Sequence, residues 1–203
     1  MDVRLVELKA IREFVEQNHY SHSVNGLKIS ECFGLFVENT LKGALIFGEL
    51  STTAWKKYSD NEKDVLELRR MVISDEMPKN TGSQFLSKAI KIIKNTTSYK
   101  IIVSYADPYH SHCGIIYQAS NWSYHGTTNS DVLLKTPDGK LYHSRAMRTK
   151  YKGELKPFAR RLQELDSGGL LCKVTVPGKH IYTYNLVGKQ RVGNTKNYPK
   201  PNL

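Results

Sequence analysis

No stretch of this chain comes near the run of about 18 apolar residues that a bilayer-spanning helix needs. Cysteine is sparse: Cys32, Cys113 and Cys172 are odd in number and far apart, which speaks against a disulfide framework and for reduced thiols in a cytoplasmic protein. No Gly-x-Gly-x-x-Gly turn follows an opening strand, so a doubly wound dinucleotide fold is excluded. The first residues, MDVRLVELKAIREFVEQ, are charged and periodic, unlike a signal peptide. Internal repeats and long low-complexity segments are also missing. The most informative shortage is of acid: residues 132–203 hold 4 Asp/Glu against 15 Lys/Arg, whereas residues 1–131 hold 15 of each. The whole net charge of +11 therefore lies in the last third of the 203 residues.

A field of one sign concentrated in one region implies a polyanionic partner. Aromatic residues interleave with those cations at Tyr142, Tyr151, Phe158, Tyr182, Tyr184 and Tyr198. Stacking faces between positive charges suit exposed nucleobases. Arg145, Arg148, Lys150, Arg160 and Arg161 are the candidate contacts to a nucleic-acid backbone. The competing reading is a solvated tail that aids solubility.

At 39% hydrophobic the chain can build a real core. Val3, Leu5, Leu8, Ile11, Phe14 and Val15 recur at helical spacing and predict an amphipathic helix over 3–17. A polar loop, NHYSHSVNG, follows. ECFGLFVEN and LKGALIFGEL read as a hairpin turning at Asn39-Thr40, and 51–64 as a loop. VLELRRMVIS reads as a strand with one buried face. TGSQFLSKAIKIIKN is a strong helix, with Phe85, Leu86, Ala89, Ile90, Ile92 and Ile93 on its apolar side. A strand (KIIVSYAD), a short helix (CGIIYQAS) and an aromatic strand (NWSYHG) come next. Beyond Ser130, DVLLKTPDGKLYHS predicts a hairpin, Pro157 opens a short helix, and LLCKVTVPGKHIYTYNL predicts a second hairpin. Residues 188–203 read as a loose basic tail. The order is mixed α/β with an antiparallel beginning. We expect a core over 1–130 and a basic, β-rich extension over 131–203 packed on it.

Four clusters could carry chemistry. Gly82 and Ser83 open the strong helix, where free N–H groups and the positive end of the helix dipole favour a phosphate. Arg69 and Arg70, adjacent in a strand, point to opposite faces, so one can face the site while the other pairs with Glu67 or Asp64. Asp107 ends a strand ahead of Pro108, and Tyr117 follows on the short helix. A carboxylate and a phenol so placed could serve as base and acid. His19, Tyr20 and Ser21 crowd the loop after the first helix. His110, His112, Cys113 and His125 add metal-ligand chemistry near Asp107, in a spacing typical of no one metal.

Together HYS at 19–21, ELRR at 67–70, Gly82-Ser83, SYAD at 104–107 and IYQASNW at 116–122 resemble the GNAT superfamily of N-acyltransferases. More narrowly, they resemble the Mom family of phage DNA adenine-modification proteins. The resemblance implies a GNAT-like fold, a mostly antiparallel central sheet flanked by helices. It implies conversion of adenine in double-stranded DNA to N6-carbamoylmethyladenine, which protects the DNA from host restriction, with an acyl-CoA (acetyl-CoA) donor and with a metal ion left open. It places His19, Asp107 and Tyr117 in catalysis, and Arg70, Gly82 and Ser83 on the cofactor. Tyr20, Ser21, Asn121 and Trp122 border the acceptor. The choice of Arg70 over Arg69 rests on spacing alone. Two other readings stay open: acyl transfer to another amine (a hypermodified pyrimidine, a protein lysine or a small molecule), and a DNA-binding protein without catalysis.

Overall fold

A computed structural model describes residues 1–50, 53–188 and 193–200. Part of the expected 51–64 loop and of the expected 188–203 tail, residues 51–52, 189–192 and 201–203, lies outside the described residues. The described strands are β1 (Asp2–Leu5), β2 (Ile29–Val37), β3 (Thr40–Gly48), β4 (Val65–Ile73), β5 (Ile101–Ala106), β6 (Ser123–Thr127), β7 (Asp131–Lys135), β8 (Leu141–His143), β9 (Lys150–Tyr151), β10 (Glu154–Leu155), β11 (Cys172–Val176) and β12 (His180–Asn185). The helices are α1 (Leu8–Asn18), α2 (Thr81–Thr96), α3 (Ile115–Ala119) and α4 (Pro157–Ser167). None of the described helices is long and apolar enough to cross a membrane.

The chain divides into two compact units. The first comprises Met1–Ala106, His112–Gly126 and the described residues from His180 on. Its sheet has seven strands in the order β1-β2-β3-β4-β5-β12-β6. Strands β1 to β4 run antiparallel, as do β5 and β12, while β4 and β5 run parallel. This is mixed α/β with a mostly antiparallel central sheet flanked by helices. Alternation along the strands sorts two cores. Phe33, Leu35, Leu45, Phe47, Leu66 and Leu68 pack with Phe85, Leu86, Ala89, Ile90 and Ile93 of α2. Cys32, Ala44, Ile46 and Val72 pack with Ile11 and Val15 of α1. The period of two puts neighbours such as Leu45 and Ile46 on opposite faces, so one helix covers each.

The structure redraws three of the expected elements. The single helix over 3–17 is instead β1 followed by α1, because Asp2 to Leu5 pair with Phe36 to Phe33 and so fill the open edge of β2. The first hairpin turns one residue earlier than expected, at Glu38 and Asn39, both at positive φ (48° and 62°). That is the primed two-residue turn whose twist suits flanking strands. The second late hairpin does not form. β11 pairs with β7 in a small sheet, while β12 leaves it to pair with β5 in the central sheet. The boundary near residue 130 therefore gives way to a discontinuous core. Residues 193–200 are not loose either: the Lys196 N–H donates to the Tyr124 carbonyl at 2.8 Å, and the Tyr198 hydroxyl donates to the Trp122 carbonyl at 2.7 Å.

The second unit is Asp107–Ser111 with Thr127–Lys179. It holds the sheet β11-β7-β8, the small hairpin β9–β10 and α4. The expected hairpin over 131–143 forms as β7 and β8, turning through Gly139 at φ +84°. Leu134, Ala159, Leu162 and Val176 are its buried apolar residues.

Candidate active site

The pairing of β4 with β5 stops early. Val65 to Leu68 register with Ile101 to Ser104. β4 then continues to Ile73 bonded to β3, and β5 to Ala106 bonded to β12. Past Leu68 and Ser104 each strand is held from its outer side, and the inner edges part. A bulge deepens the divergence: the register with β3 steps from Leu68 opposite Phe47 to Arg70 opposite Ile46, which leaves Arg69 as the extra residue. A gap at the carboxyl ends of parallel strands is where open α/β sheets take ligands.

Ser104 stands at the fork. It is almost wholly buried; its hydroxyl donates to the Leu68 carbonyl at 3.2 Å and pairs with the Tyr117 hydroxyl at 2.8 Å. Tyr117 rides on α3, its ring 5.0 Å from that of Tyr182 and 5.1 Å from that of Trp122. Burial pushes the Tyr117 phenol up to about 12; the Ser104 contact opposes this, and the charges of Tyr20 and Glu67 add to it. The phenol therefore keeps its proton at neutral pH and can give it to a departing anion. α3 is fixed by β12: the Tyr182 hydroxyl donates to the Cys113 carbonyl at 2.5 Å, and Gln118 Nε2 donates to the Tyr182 hydroxyl at 3.2 Å.

The loop after α1 lies beside this group. His19 is buried, and its Nδ1 accepts the Ser21 N–H at 3.1 Å. The same Nδ1 lies 2.9 Å from the Ser21 hydroxyl. The Ser21 hydroxyl and Arg70 Nε both donate to the Ser23 carbonyl at 3.2 Å, and Arg70 Nη1 donates to the Arg69 carbonyl at 2.8 Å. Arg70 thus ties the loop to β4, and burial lowers its pKa. Tyr20 stacks on His19 at 4.2 Å and lies 5.6 Å from His112. It lies within electrostatic range of both Arg70 and Tyr117. The structure thereby brings His19, Tyr20, Ser21, Arg70 and Tyr117 together. Arg69 pairs with Glu67 at 2.9 Å, the partner proposed for whichever arginine faced away.

Asn80, at φ +67°, turns the chain into α2. A side chain at Gly82 would meet Ile116 at 3.0 Å and Ile73 at 3.3 Å, so this helix start is pressed onto α3 and the end of β4. The Ser83 hydroxyl donates back to the Asn80 carbonyl at 3.0 Å. An anion here would meet first-turn N–H groups rather than that hydroxyl.

The other predicted residues are placed differently. Trp122, expected against the acceptor, has no exposed surface; it backs Tyr117 and Tyr184. Asn121 turns the chain between α3 and β6 at φ +59°. Asp107 belongs to the second unit, where it accepts the Tyr109 N–H at 3.0 Å and pairs with Lys179 at 2.8 Å. Arg145, Arg148, Lys150, Arg160 and Arg161 are all exposed in that same unit. Arg160 faces Glu154 at 3.4 Å and Arg161 faces Asp138 at 3.7 Å. Among the described residues, no group of three or more His, Cys, Asp or Glu is placed to hold a metal ion. Tyr182, expected from sequence among the aromatics offered to exposed bases, is instead fully buried and holds α3, and Ser104 had no role of its own within SYAD. Ser104 sits in an apolar strand, and Tyr182 comes from the far end of the chain.

Tyr182 is likewise pushed up to about 12, chiefly by burial. Both phenols have folded values above their ordinary value of 10, so between about pH 10 and 12 the unfolded chain has lost protons that the folded chain retains. Unfolding free energy should therefore fall as pH rises through that window, and denaturant titrations at pH 9, 10 and 11 should show it. Tyr182→Phe should flatten the fall.

A family model described as the Mom protein family matches residues 1–200. The methylcarbamoylase Mom of Escherichia phage Mu is 31% identical over 148 residues, covering 70% of this chain. The match spans 59% of that relative's length. Among solved structures, the Salmonella typhimurium protein yncA, solved with its cofactor acetyl-CoA, superposes with a TM-score of 0.52 at 9% identity, over 93% of this chain and 95% of its own. A mutant of the spermidine N-acetyltransferase of Vibrio cholerae gives 0.51 at 8% identity, over 92% and 95%. An N-acetyltransferase of Staphylococcus aureus gives 0.50 at 13% identity, over 92% and 98%. At such identities the likeness is one of fold, and the fold is that of the GNAT acetyltransferases.

Proposed function

This chain belongs to the Mom protein family, and on that premise we propose that it is a transferase modifying adenine at N6 in double-stranded DNA. The donor is of the acyl-CoA class, the product is N6-carbamoylmethyladenine, and the setting is the cytoplasm of a phage-infected host. The observation that carries the reading is the fork between β4 and β5, with the Tyr117 hydroxyl held on Ser104 at its apex.

Acyl-CoA brings a pyrophosphate, which the Gly82 and Ser83 N–H groups at the start of α2 would receive. Arg70 still has guanidinium donors beyond the two bonds it makes, and would add charge there. Tyr117 gives its proton to the departing group or holds the donor in line. His19, Tyr20 and Ser21, with Asn121, border the acceptor, and Trp122 supports them from the core. Asp107, paired with Lys179 at 2.8 Å, orients or deprotonates the amine. Adenine N6 lies in the major groove of a duplex, and chemistry on a base commonly withdraws it from the stack. Simple acyl transfer would leave a carbonyl on N6. The family product has a methylene on N6 and a terminal amide, so simple acyl transfer does not account for it.

Mass spectrometry of nucleosides from cells producing the protein tests the reading. A carbamoylmethyl adduct of deoxyadenosine is expected with the wild-type chain and should be lost with Asp107→Ala. An adduct on thymidine or on protein lysine would redirect the acceptor. Unaltered nucleosides together with no rise in melting temperature on adding CoA would leave only a DNA-binding protein.

A further inference from the structure

The second unit carries a feature that the modification reading does not use. Tyr151, on β9, is 64% exposed, the most exposed tyrosine or phenylalanine among the described residues. It sits in a two-strand hairpin in which Tyr151 faces Glu154 and Lys150 faces Leu155. The two-residue turn is Lys152-Gly153, with both residues at positive φ, 49° and 86°. Glycine is at ease there, but a lysine is not. The strained residue carries its ammonium to 5.6 Å from the centre of the Tyr151 ring, and Lys156 brings a second to 5.9 Å. Residues 145–161 hold seven Lys/Arg and a single acid, Glu154, which Arg160 faces at 3.4 Å.

We propose that the hairpin over 150–155 is a nucleic-acid contact, in which Tyr151 stacks on an unstacked nucleobase while Lys152 and Lys156 meet the flanking phosphates. The claim deepens the DNA reading above and rests on it. A ring is worth exposing when its ligand has π-faces, and flanking ammonium groups suit a ligand whose rings are joined by anions. The large apolar side chains exposed in this stretch are Tyr151 and Phe158, too little surface to enter a bilayer. The primed turn presents the ring on a short two-strand hairpin. A rigid aromatic of this kind loses little freedom when a base settles on it.

The test is a binding titration of the full chain against fluorescent DNA duplexes, fully paired or with one unpaired adenine, over a range of salt. Wild type should prefer the duplex with the unpaired base. Tyr151→Ala should weaken binding to that duplex by roughly tenfold or more, while Tyr151→Phe keeps it, since either ring offers a stacking face. Lys152→Gln and Lys156→Gln should each lower the slope of log affinity against log salt by about one. Lys152→Gly separates function from folding: it relieves the positive φ, so the melting temperature should hold or rise while the salt slope falls. Equal binding by wild type and Tyr151→Ala overturns the proposal. So does a salt slope unmoved by both lysine substitutions, or lysine-dependent binding to phosphatidylserine vesicles in place of DNA. Hairpin-dependent DNA binding with unaltered nucleosides would sink the modification reading alone. Modified adenine with Tyr151→Ala binding undiminished would sink this inference alone.

Discussion

Tyr117→Phe should, on the proposed function, lower the rate of adenine modification by about two to four orders of magnitude, the usual worth of a positioned acid, with little change in stability. The ring contacts to Tyr182 and Trp122 survive in phenylalanine, and Ser104 retains its bond to the Leu68 carbonyl. Only the hydroxyl is lost, and with it a proton held up to about 12. A loss of kcat with an unaltered melting temperature and unaltered CoA binding is the expected pattern. If the hydroxyl only supported the fold, melting temperature and rate would fall together. Activity equal to wild type would remove Tyr117 from the chemistry.

Gly114→Ala should have the largest effect on stability among single small substitutions at the site. Gly114 has φ +83°, and a methyl group there would sit 2.3 Å from a carbon of the Tyr182 ring. The left-handed backbone costs an alanine about 1–2 kcal/mol, and crowding of a packed interior adds about 1–3 kcal/mol. The ring cannot simply swing aside. Its hydroxyl is anchored on the Cys113 carbonyl and its face lies against Tyr117 and Tyr124. We expect a destabilisation of about 2–4 kcal/mol by denaturant titration, with α3 shifted and Tyr117 drawn off Ser104. A stability within about 0.5 kcal/mol of wild type would mean that the ring yields freely.

Local pattern in the sequence carried much of this. The apolar face of α2, from Phe85 to Ile93, was plain from its spacing and buried as expected. HYS, ELRR and IYQASNW were adjacent or closely spaced letters, so the clustering of His19, Arg70 and Tyr117 could be expected from their resemblance to a family. What stayed hidden was non-local. β1 overlaps a helical spacing, and only its pairing with β2 makes it extended. β12 looked like half of a local hairpin because its partner, β5, lies far away along the chain. Trp122 was expected to border the acceptor because it closes IYQASNW, and its complete burial is set by contacts that the motif does not spell out. Tertiary pairing overrides local preference in such cases.

The position of β12 also bears on how the molecule is made. The Ile101–Ala106 strand meets residues 180–185 only after most of the chain has left the ribosome. Until then one hydrogen-bonding border of an apolar strand lies open, a template for pairing with a neighbouring nascent copy. Such distant closure makes maturation slow, and chaperone demand and expression temperature should weigh heavily on the yield of intact protein. A message truncated ahead of codon 180 would deliver the whole HYS and IYQASNW set yet leave α3 unseated, because the strand that holds it would never have been translated.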